Sequence, residues 1–451
     1  MSGLHSIILN FHREGRLAEK TLASFERAVS EVPDGRFQLV CVLDRPDEPT
    51  AKLVREYESL LFAEIQKIEV DYGSLGPARN AGVKASKGEL LIIADADDLV
   101  SYNYLDALVR AWKHHGDRCL LFSEFIVPFG NRTSCWHYRN LSELTRLPFV
   151  FKHPYSSKCA GHRGIFESIQ FADVPMGPGY AFEDWHFNCE AVAAGCDVRI
   201  VENTIIFYRQ HPASLMNQAR RVSSNEVLPS TLFSPPIYLD VCRTDYERYR
   251  SCPEDTVATP QKVGMRALRH YFQDARKIEP QIKYTPSANI YSKQIEALEF
   301  GACYYEMCLL VGDRVFGDVF FLSSLSRAGR GRRIEDAICG IARARPSAHI
   351  LVILGEDCAE PTWEEALPLN ATLIDLRALA PGFLLKARCL LSLRIVGVAA
   401  QPDSRLHFEG GQFANGMLER FAGVLNDYEC HYYGFAETPP PPGNGGYVAA
   451  K

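Results

Sequence analysis

The chain has 451 residues, 47% hydrophobic and 23% charged, with 32 glycines and 26 prolines. Those proportions exclude a collagen-like or low-complexity chain and supply material for two or three packed domains. A net charge of −6 and an isoelectric point near 6.1 argue against a protein built to neutralise nucleic-acid phosphates.

Fourteen cysteines are scattered, and Cys159-x-x-His162 has no second half, so a zinc site is not expected. Buried thiols in a reduced, cytoplasmic setting fit this usage. The apolar run Ile7–Leu9 is too short for the core of a signal peptide. No stretch approaches 18 uncharged apolar residues, so no membrane-spanning helix is expected.

The first 210 residues alternate strand and helix patterns, as an α/β domain requires. His5–Phe11 reads as a buried strand and Arg16–Val29 as a helix with Leu17, Leu22, Phe25 and Val29 on one face. Phe37–Leu43 and Ile65–Val70 are the next strands. Leu75–Ser86 is a helix with Gly76-Pro77 in its first turn, a place that suits Pro. Glu89–Asp95 is a strand ending in carboxylates, followed by a helix at Tyr104–Lys113. Cys119–Val127 and Gly161–Phe166 read as strands, Ala181–Ala194 as a helix, and Asp197–Val201 and Ile205–Tyr208 as two strands.

Residues 212–260, punctuated by Pro229, Pro235-Pro236 and Pro253, read as a connector. Val263–Asp274 and Tyr291–Gly312 read as helices. A second α/β pattern follows, with strands at Val319–Leu322, His349–Leu354, Ala371–Leu376, Leu393–Val398 and Arg405–Phe408 and helices at Ile334–Arg343 and Phe413–Leu425. The expected organisation is a first domain over 1–215, a connector and helical bridge over 216–312, a second domain over 313–437, and a disordered Pro/Gly-rich tail over 438–451. The second domain is expected either as a non-catalytic remnant serving acceptor binding or assembly, or as part of a longer multidomain chain, to which the linker-like tail points.

The sharpest motif is Asp95-Ala96-Asp97-Asp98, directly after an apolar strand. Ligands bind beyond the carboxyl ends of strands in open α/β sheets. Clustered carboxylates repel unless a cation sits among them, and hard divalent ions with phosphate oxygens suit such a place. A solvated turn capping the helix at Tyr104 is the plainer alternative. Asp44 ends the second strand, where its carboxylate is placed to accept from a nucleobase or ribose. Arg79 offers a planar donor fork for carboxylate or phosphate, and Asn80 is placed to hold its loop.

The order SIILNFHREG, VLDRPD, GPARNAGVKASKGELLIIADADD and FEDW resembles inverting family 2 glycosyltransferases of the GT-A fold, over roughly residues 4–215. The resemblance implies an α/β fold: a GT-A domain with a Rossmann-like mixed sheet, then the connector and a second, smaller Rossmann-like domain. It implies an inverting, metal-dependent transfer of sugar from a nucleotide-diphospho-sugar to a hydroxyl on a glycan or lipid-linked glycan, in bacterial surface polysaccharide synthesis. Mn2+ or Mg2+ is the implied cofactor, and contact with the inner face of the membrane the implied setting. No nucleic-acid partner is implied.

Residue by residue, the resemblance makes Asp97 the direct metal ligand, with Asp95 and His211 beside it. Asp44, Asn10, His12, Glu14, Arg79, Asn80, Asp95, Ala96, Asp98 and Arg209 fall on the donor side. Asn10-Phe11-His12 stands where many relatives carry Pro-x-Tyr. Asp184 matches the base that takes the acceptor proton, with Glu183 as the fallback; both would also serve simply as helix caps. Trp185 is placed either to stack on an acceptor sugar or to fill the core. His211 and Arg209, in Tyr208-Arg209-Gln210-His211, match a segment near the diphosphate. The second domain resembles the N-terminal half of a GT-B glycosyltransferase, and its loop Arg327–Arg333 is either a phosphate cradle or a solvated basic loop. The competing readings are a nucleotidyltransferase and a non-catalytic sugar- or nucleotide-binding scaffold.

Overall fold

The computed structural model describes residues 3–33, 35–130, 135–152, 154–174, 179–210, 226–251, 262–290, 295–323, 330–356, 367–433 and 448–449. The first sheet is built on four parallel strands: β1 (Leu4–Phe11), β2 (Arg36–Asp44), β3 (Glu64–Val70) and β4 (Leu90–Asp95). β1 pairs with β2 on one side and β4 on the other, and β2 pairs with β3. The interior strands are apolar almost end to end because helices cover both faces of a parallel sheet. Helix Arg16–Val29 buries Leu22, Phe25 and Val29, each worth about 1.5–3 kcal/mol against exposure.

The sheet continues through β5 (Leu99–Val100), β6 (Cys119–Phe129), β7 (Trp136–His137), β8 (Ala160–His162) and β9 (Asp197–Arg209). β8 runs antiparallel to β4 and touches β6, while β9 lies parallel to β6. The two strands expected at 197–208 are one long strand, interrupted by a register shift opposite Ser123–Phe125 and by Asn203 at φ 60°. That one irregular position breaks the apolar pattern without ending the strand.

The connector is more ordered than its prolines imply. Pro235–Ser251 is a 17-residue helix, since Pro235 and Pro236 stand in its first turn, where no amide donor is needed. Residues expected as one helix at 263–274 divide into β10 (Lys262–Gly264) and helix Arg269–Ile278. β10 and β11 (Ser287–Ile290) add to the first sheet through β7, so the connector completes the first domain's sheet. Helix Ile295–Val311 follows.

The second sheet has β12 (Phe316–Leu322), β13 (His349–Leu354), β14 (Ala371–Asp375), β15 (Ala400–Glu409), β16 (Glu429–Tyr433) and β17 (Val448–Ala449). Its order, β14-β13-β12-β15-β16-β17, is parallel throughout and doubly wound. Leu393–Val398, expected as a strand, lies inside helix Leu385–Ala399. That helix is buried on nearly every side, so no apolar stripe marks its period. Of the expected tail, Val448–Ala449 pair with β16, and its other residues lie outside the described ones. Of the loop expected at Arg327–Arg333, residues 327–329 lie outside the described ones and residues 330–333 open helix Arg330–Ala344.

Arg394, on helix Leu385–Ala399, joins the two domains. It donates to the carbonyls of Val150 (2.9 Å) and Val227 (3.3 Å) and lies over the rings of Trp185 and Phe233. Among the described residues all twelve cysteines are unpaired and ten are buried. No helix of the described residues is long and apolar enough to cross a membrane.

Candidate active site

Strand register sets the site. Asn10 on β1 lies opposite Asp95 on β4 and Val42 on β2, and Asp44 closes β2 two residues further on. The acids therefore converge at the carboxyl edge of the sheet, where a doubly wound topology leaves its crevice.

Helix Leu75–Ala85 carries Arg79 beneath this edge. Its glycines permit close packing: a Cβ on Gly82 would meet Ile8 at 2.4 Å, and one on Gly76 would meet the Ala172 carbonyl oxygen at 2.0 Å. Arg79 is 1% exposed. Its guanidinium reaches Glu183 at 2.7 Å and Asp95 at 3.3 Å and lies over the Phe171 ring. Asn80 donates to the Phe171 carbonyl (2.8 Å) and accepts from the Phe171 N–H (2.9 Å), which pins the loop beside Arg79.

Asp44 accepts from the N–H groups of Tyr72 (2.8 Å) and Gly73 (3.0 Å), and its carbonyl bonds His12 Nδ1 at 2.7 Å. The main-chain N–H of His12 donates to Glu14 at 2.6 Å. Burial raises the Glu14 carboxyl. Asn10 is 9% exposed, and among the described residues neither its amide nitrogen nor its oxygen has a hydrogen-bond partner. An unsatisfied buried amide costs about 1–3 kcal/mol, which marks this as a place for a polar ligand.

The acid turn is asymmetric. Both oxygens of Asp95 are held by cations, Oδ1 by Arg79 and Oδ2 by Lys158 at 2.7 Å. Burial alone would raise this carboxyl, but Lys158 and Arg79 bring it down to about 2. Asp98 accepts from the Arg209 N–H (2.8 Å) and pairs with Lys158 at 3.0 Å; burial outweighs Lys158, and the carboxyl stands above its usual range. Asp97 is pushed well up, by burial first and then by Asp98 and Asp95. Ala96 is buried and supplies only main chain to the turn. A cation beside Asp97 would relieve that crowding, so the turn fits a divalent ion at Asp97. Asp95, expected as a second ligand, is already neutralised, and His211 lies outside the described residues. Among the described residues no three His, Cys, Asp or Glu side chains gather as a ready metal cage.

Glu183 and Asp184 open helix Glu183–Ala193 behind Phe182, which takes a left-handed φ of 66°. Such a backbone for a bulky residue costs of order 1–3 kcal/mol and persists where surrounding packing holds it. Burial raises Glu183 and Arg79 opposes it, so Glu183 is tied into a buried ion pair. Asp184 accepts from the Trp185 N–H at 2.8 Å.

Two expectations change. Trp185, expected on the acceptor side, is 2% exposed and donates its indole N–H to the Phe149 carbonyl at 2.8 Å. It packs the helix onto the core, the second of the two places the sequence allows it. Arg209, expected on the donor phosphates, pairs with Glu279 at 2.9 Å and donates from Nε to the Asp97 carbonyl at 3.0 Å. It braces the acid turn from behind.

Residues 6–169 match the family model described as "Glycosyl transferase family 2". This segment is a family 2 glycosyl transferase domain. Its sheet is the GT-A arrangement, and a second α/β domain follows it. Over 95 residues the chain is 30% identical to the poly(ribitol-phosphate) beta-N-acetylglucosaminyltransferase TarS of Staphylococcus aureus, which covers 21% of this chain and 17% of that protein. Among solved structures, S. aureus TarS 1-349 in complex with UDP-GlcNAc aligns over 94% of this chain and 92% of that one, at 13% identity and TM-score 0.39. S. aureus TarS aligns over 68% and 53%, at 15% identity and TM-score 0.37. GalNAc-T7 with UDP, GalNAc and Mn2+ aligns over 61% and 55%, at 16% identity and TM-score 0.36. The chain spans 17% of the curated relative and about half of the solved TarS chain.

Two site residues of the transferase domain escape sequence reasoning. Lys158 reaches Asp95 and Asp98 because β8 pairs with β4, a neighbour relation that no local pattern encodes. Glu279 pairs with Lys20 (2.8 Å), 259 residues away, and with Arg209, 70 residues away. A lone lysine in Ser156-Ser157-Lys158-Cys159 and a glutamate ending a helix carry no local signal.

Proposed function

We propose that the chain moves a sugar from a nucleotide-diphospho-sugar to a hydroxyl acceptor, with inversion at the anomeric carbon and with Mn2+ or Mg2+ at Asp97. The observation that carries this is the asymmetric acid turn: two of its acids are neutralised from within, and Asp97 is held at the sheet's carboxyl edge in a field of like charge. A divalent ion there would supply positive charge to the diphosphate as it leaves.

The chain's own groups account for the rest. Asp44 and Asn10 line the nucleoside side, and the unsatisfied amide of Asn10 offers a donor and an acceptor to the ligand. Arg79 fixes Asp95 and Glu183 at one spacing. Glu183 is committed to that pair, and Asp184, the position the resemblance matches to the base, takes the acceptor proton during in-line attack. No covalent intermediate is needed. The name of the S. aureus relative, a poly(ribitol-phosphate) beta-N-acetylglucosaminyltransferase, supports an activated N-acetylhexosamine as donor and a polyol-phosphate polymer as acceptor.

Turnover of UDP-N-acetylhexosamines with polyol-phosphate and glycan acceptors tests the reading, with the anomeric configuration of the product read by NMR. A product of inverted configuration, reduced about 10²–10⁴-fold in rate by Asp184→Asn, is expected. A product of retained configuration, or full activity in Asp184→Asn, would refute it.

A further inference from the structure

Lys158 stands just ahead of β8, where Ala160 pairs with Ile92 of β4 and with Leu121 of β6. It is 7% exposed. Its ammonium lies 2.7 Å from Asp95, 3.0 Å from Asp98 and 4.5 Å from the centre of the Tyr208 ring. A fixed positive charge thus fills the inner half of the acid turn. Asn10, opposite Asp95 in register and on the same face of the sheet, holds a buried amide that has no partner among the described residues. The turn is therefore built around the Lys158 ammonium, with Arg79 on the outer oxygen of Asp95, and faces a ligand that supplies further polar contacts.

We propose that Lys158 divides the acid turn, closing Asp95 and Asp98 to a divalent ion so that the ion meets the turn at Asp97 and binds together with a nucleoside diphosphate. One carboxylate holds Mg2+ or Mn2+ weakly, because such ions bind through one or two carboxylates plus substrate phosphates. The ammonium also repels a second cation across a few ångströms of partly buried space. The acids of the turn would otherwise form a standing metal site, loaded before substrate arrives. With Lys158 among them, ion and nucleotide depend on each other, and the affinity of each rises with the other by the same factor. This inference rests on the glycosyltransferase reading of the cleft.

The test is calorimetric titration of Mn2+ into the full chain, as wild type, Lys158→Gln and Lys158→Arg, first alone and then with saturating UDP, GDP or dTDP. The Gln variant removes the charge, and the Arg variant keeps it. Lys158→Gln should bind Mn2+ alone at least about tenfold more tightly than wild type, and Lys158→Arg should not. Wild type should bind Mn2+ at least about tenfold more tightly with the accepted nucleotide than without it. Equal Mn2+ affinity in Lys158→Gln and wild type overturns the proposal, as does a wild-type affinity for Mn2+ that no nucleotide improves. If Lys158→Gln fails to fold by circular dichroism, the two wild-type titrations decide. Absence of any nucleotide binding overturns the glycosyltransferase reading itself. The Mn2+-only comparison does not use nucleotide, so the two failures are distinguishable.

Discussion

Arg79 is the most exacting test of how the site is held. It is buried to 1% exposure and serves two carboxylates, Glu183 at 2.7 Å and Asp95 at 3.3 Å. Replacing it with Met keeps most of the volume and removes the charge. Both acids then remain in a partly desolvated pocket without their shared partner. Breaking a buried pair in this way costs about 3–5 kcal/mol, far more than the 0–1 kcal/mol of an exposed pair. In a domain of this size each kcal/mol lowers the melting temperature by about 2–4 °C, so a fall of roughly 10 °C is expected. Differential scanning calorimetry reads it in the transition of the transferase domain. The double variant Arg79→Met with Glu183→Gln should recover about 1–3 kcal/mol, because one of the orphaned charges is gone. A loss below about 1 kcal/mol for Arg79→Met, or no recovery in the double variant, would mean the pair is solvated and does not organise the site.

Three further outcomes follow from the same geometry. Trp185→Ala should cost about 3–5 kcal/mol in chemical denaturation; unchanged stability with only a raised acceptor KM would return Trp185 to the acceptor side. Asp97→Asn should leave thermal stability unchanged or higher, because its carboxyl is raised by burial and by its acidic neighbours, so holding it ionised near neutral pH opposes folding. A marked fall in the melting temperature would contradict that. His5 is 1% exposed between Phe37 and Trp112, and among the described residues neither ring nitrogen has a hydrogen-bond partner; burial, then Lys113, lowers it to about 4. The unfolded chain binds the proton first, so stability should fall by about 3 kcal/mol as pH drops from 6.5 to 4. His5→Phe should remove that part of the pH dependence, and an identical profile in the variant would refute the assignment.

The parts legible in sequence are those whose physics is local. β1, β2 and β4 are continuous apolar runs because both faces are covered. The acid turn announces itself because three carboxylates after such a run have few structural uses. Helix Leu385–Ala399 and the joined strand β9 were obscured by burial on every side and by a single irregular residue. Trp185 illustrates a different limit. Its neighbours in sequence are site residues, but a helix turns successive side chains about 100° apart, and Trp185 faces the core while Glu183 faces Arg79. Lys158 and Glu279 show the third. Their roles come from strand pairing and from long-range ion pairs, and only the folded chain brings those partners together.

The central claim is that the acid turn binds a nucleoside diphosphate with a divalent ion at Asp97. Calorimetric titration of UDP, GDP and dTDP, each with and without Mn2+, into wild type and Asp97→Ala tests it most directly. One nucleotide should bind in the presence of Mn2+, with affinity lost on removing the ion or Asp97. Binding that is indifferent to both, or no binding of any nucleotide, would contradict the account and leave the turn a structural element.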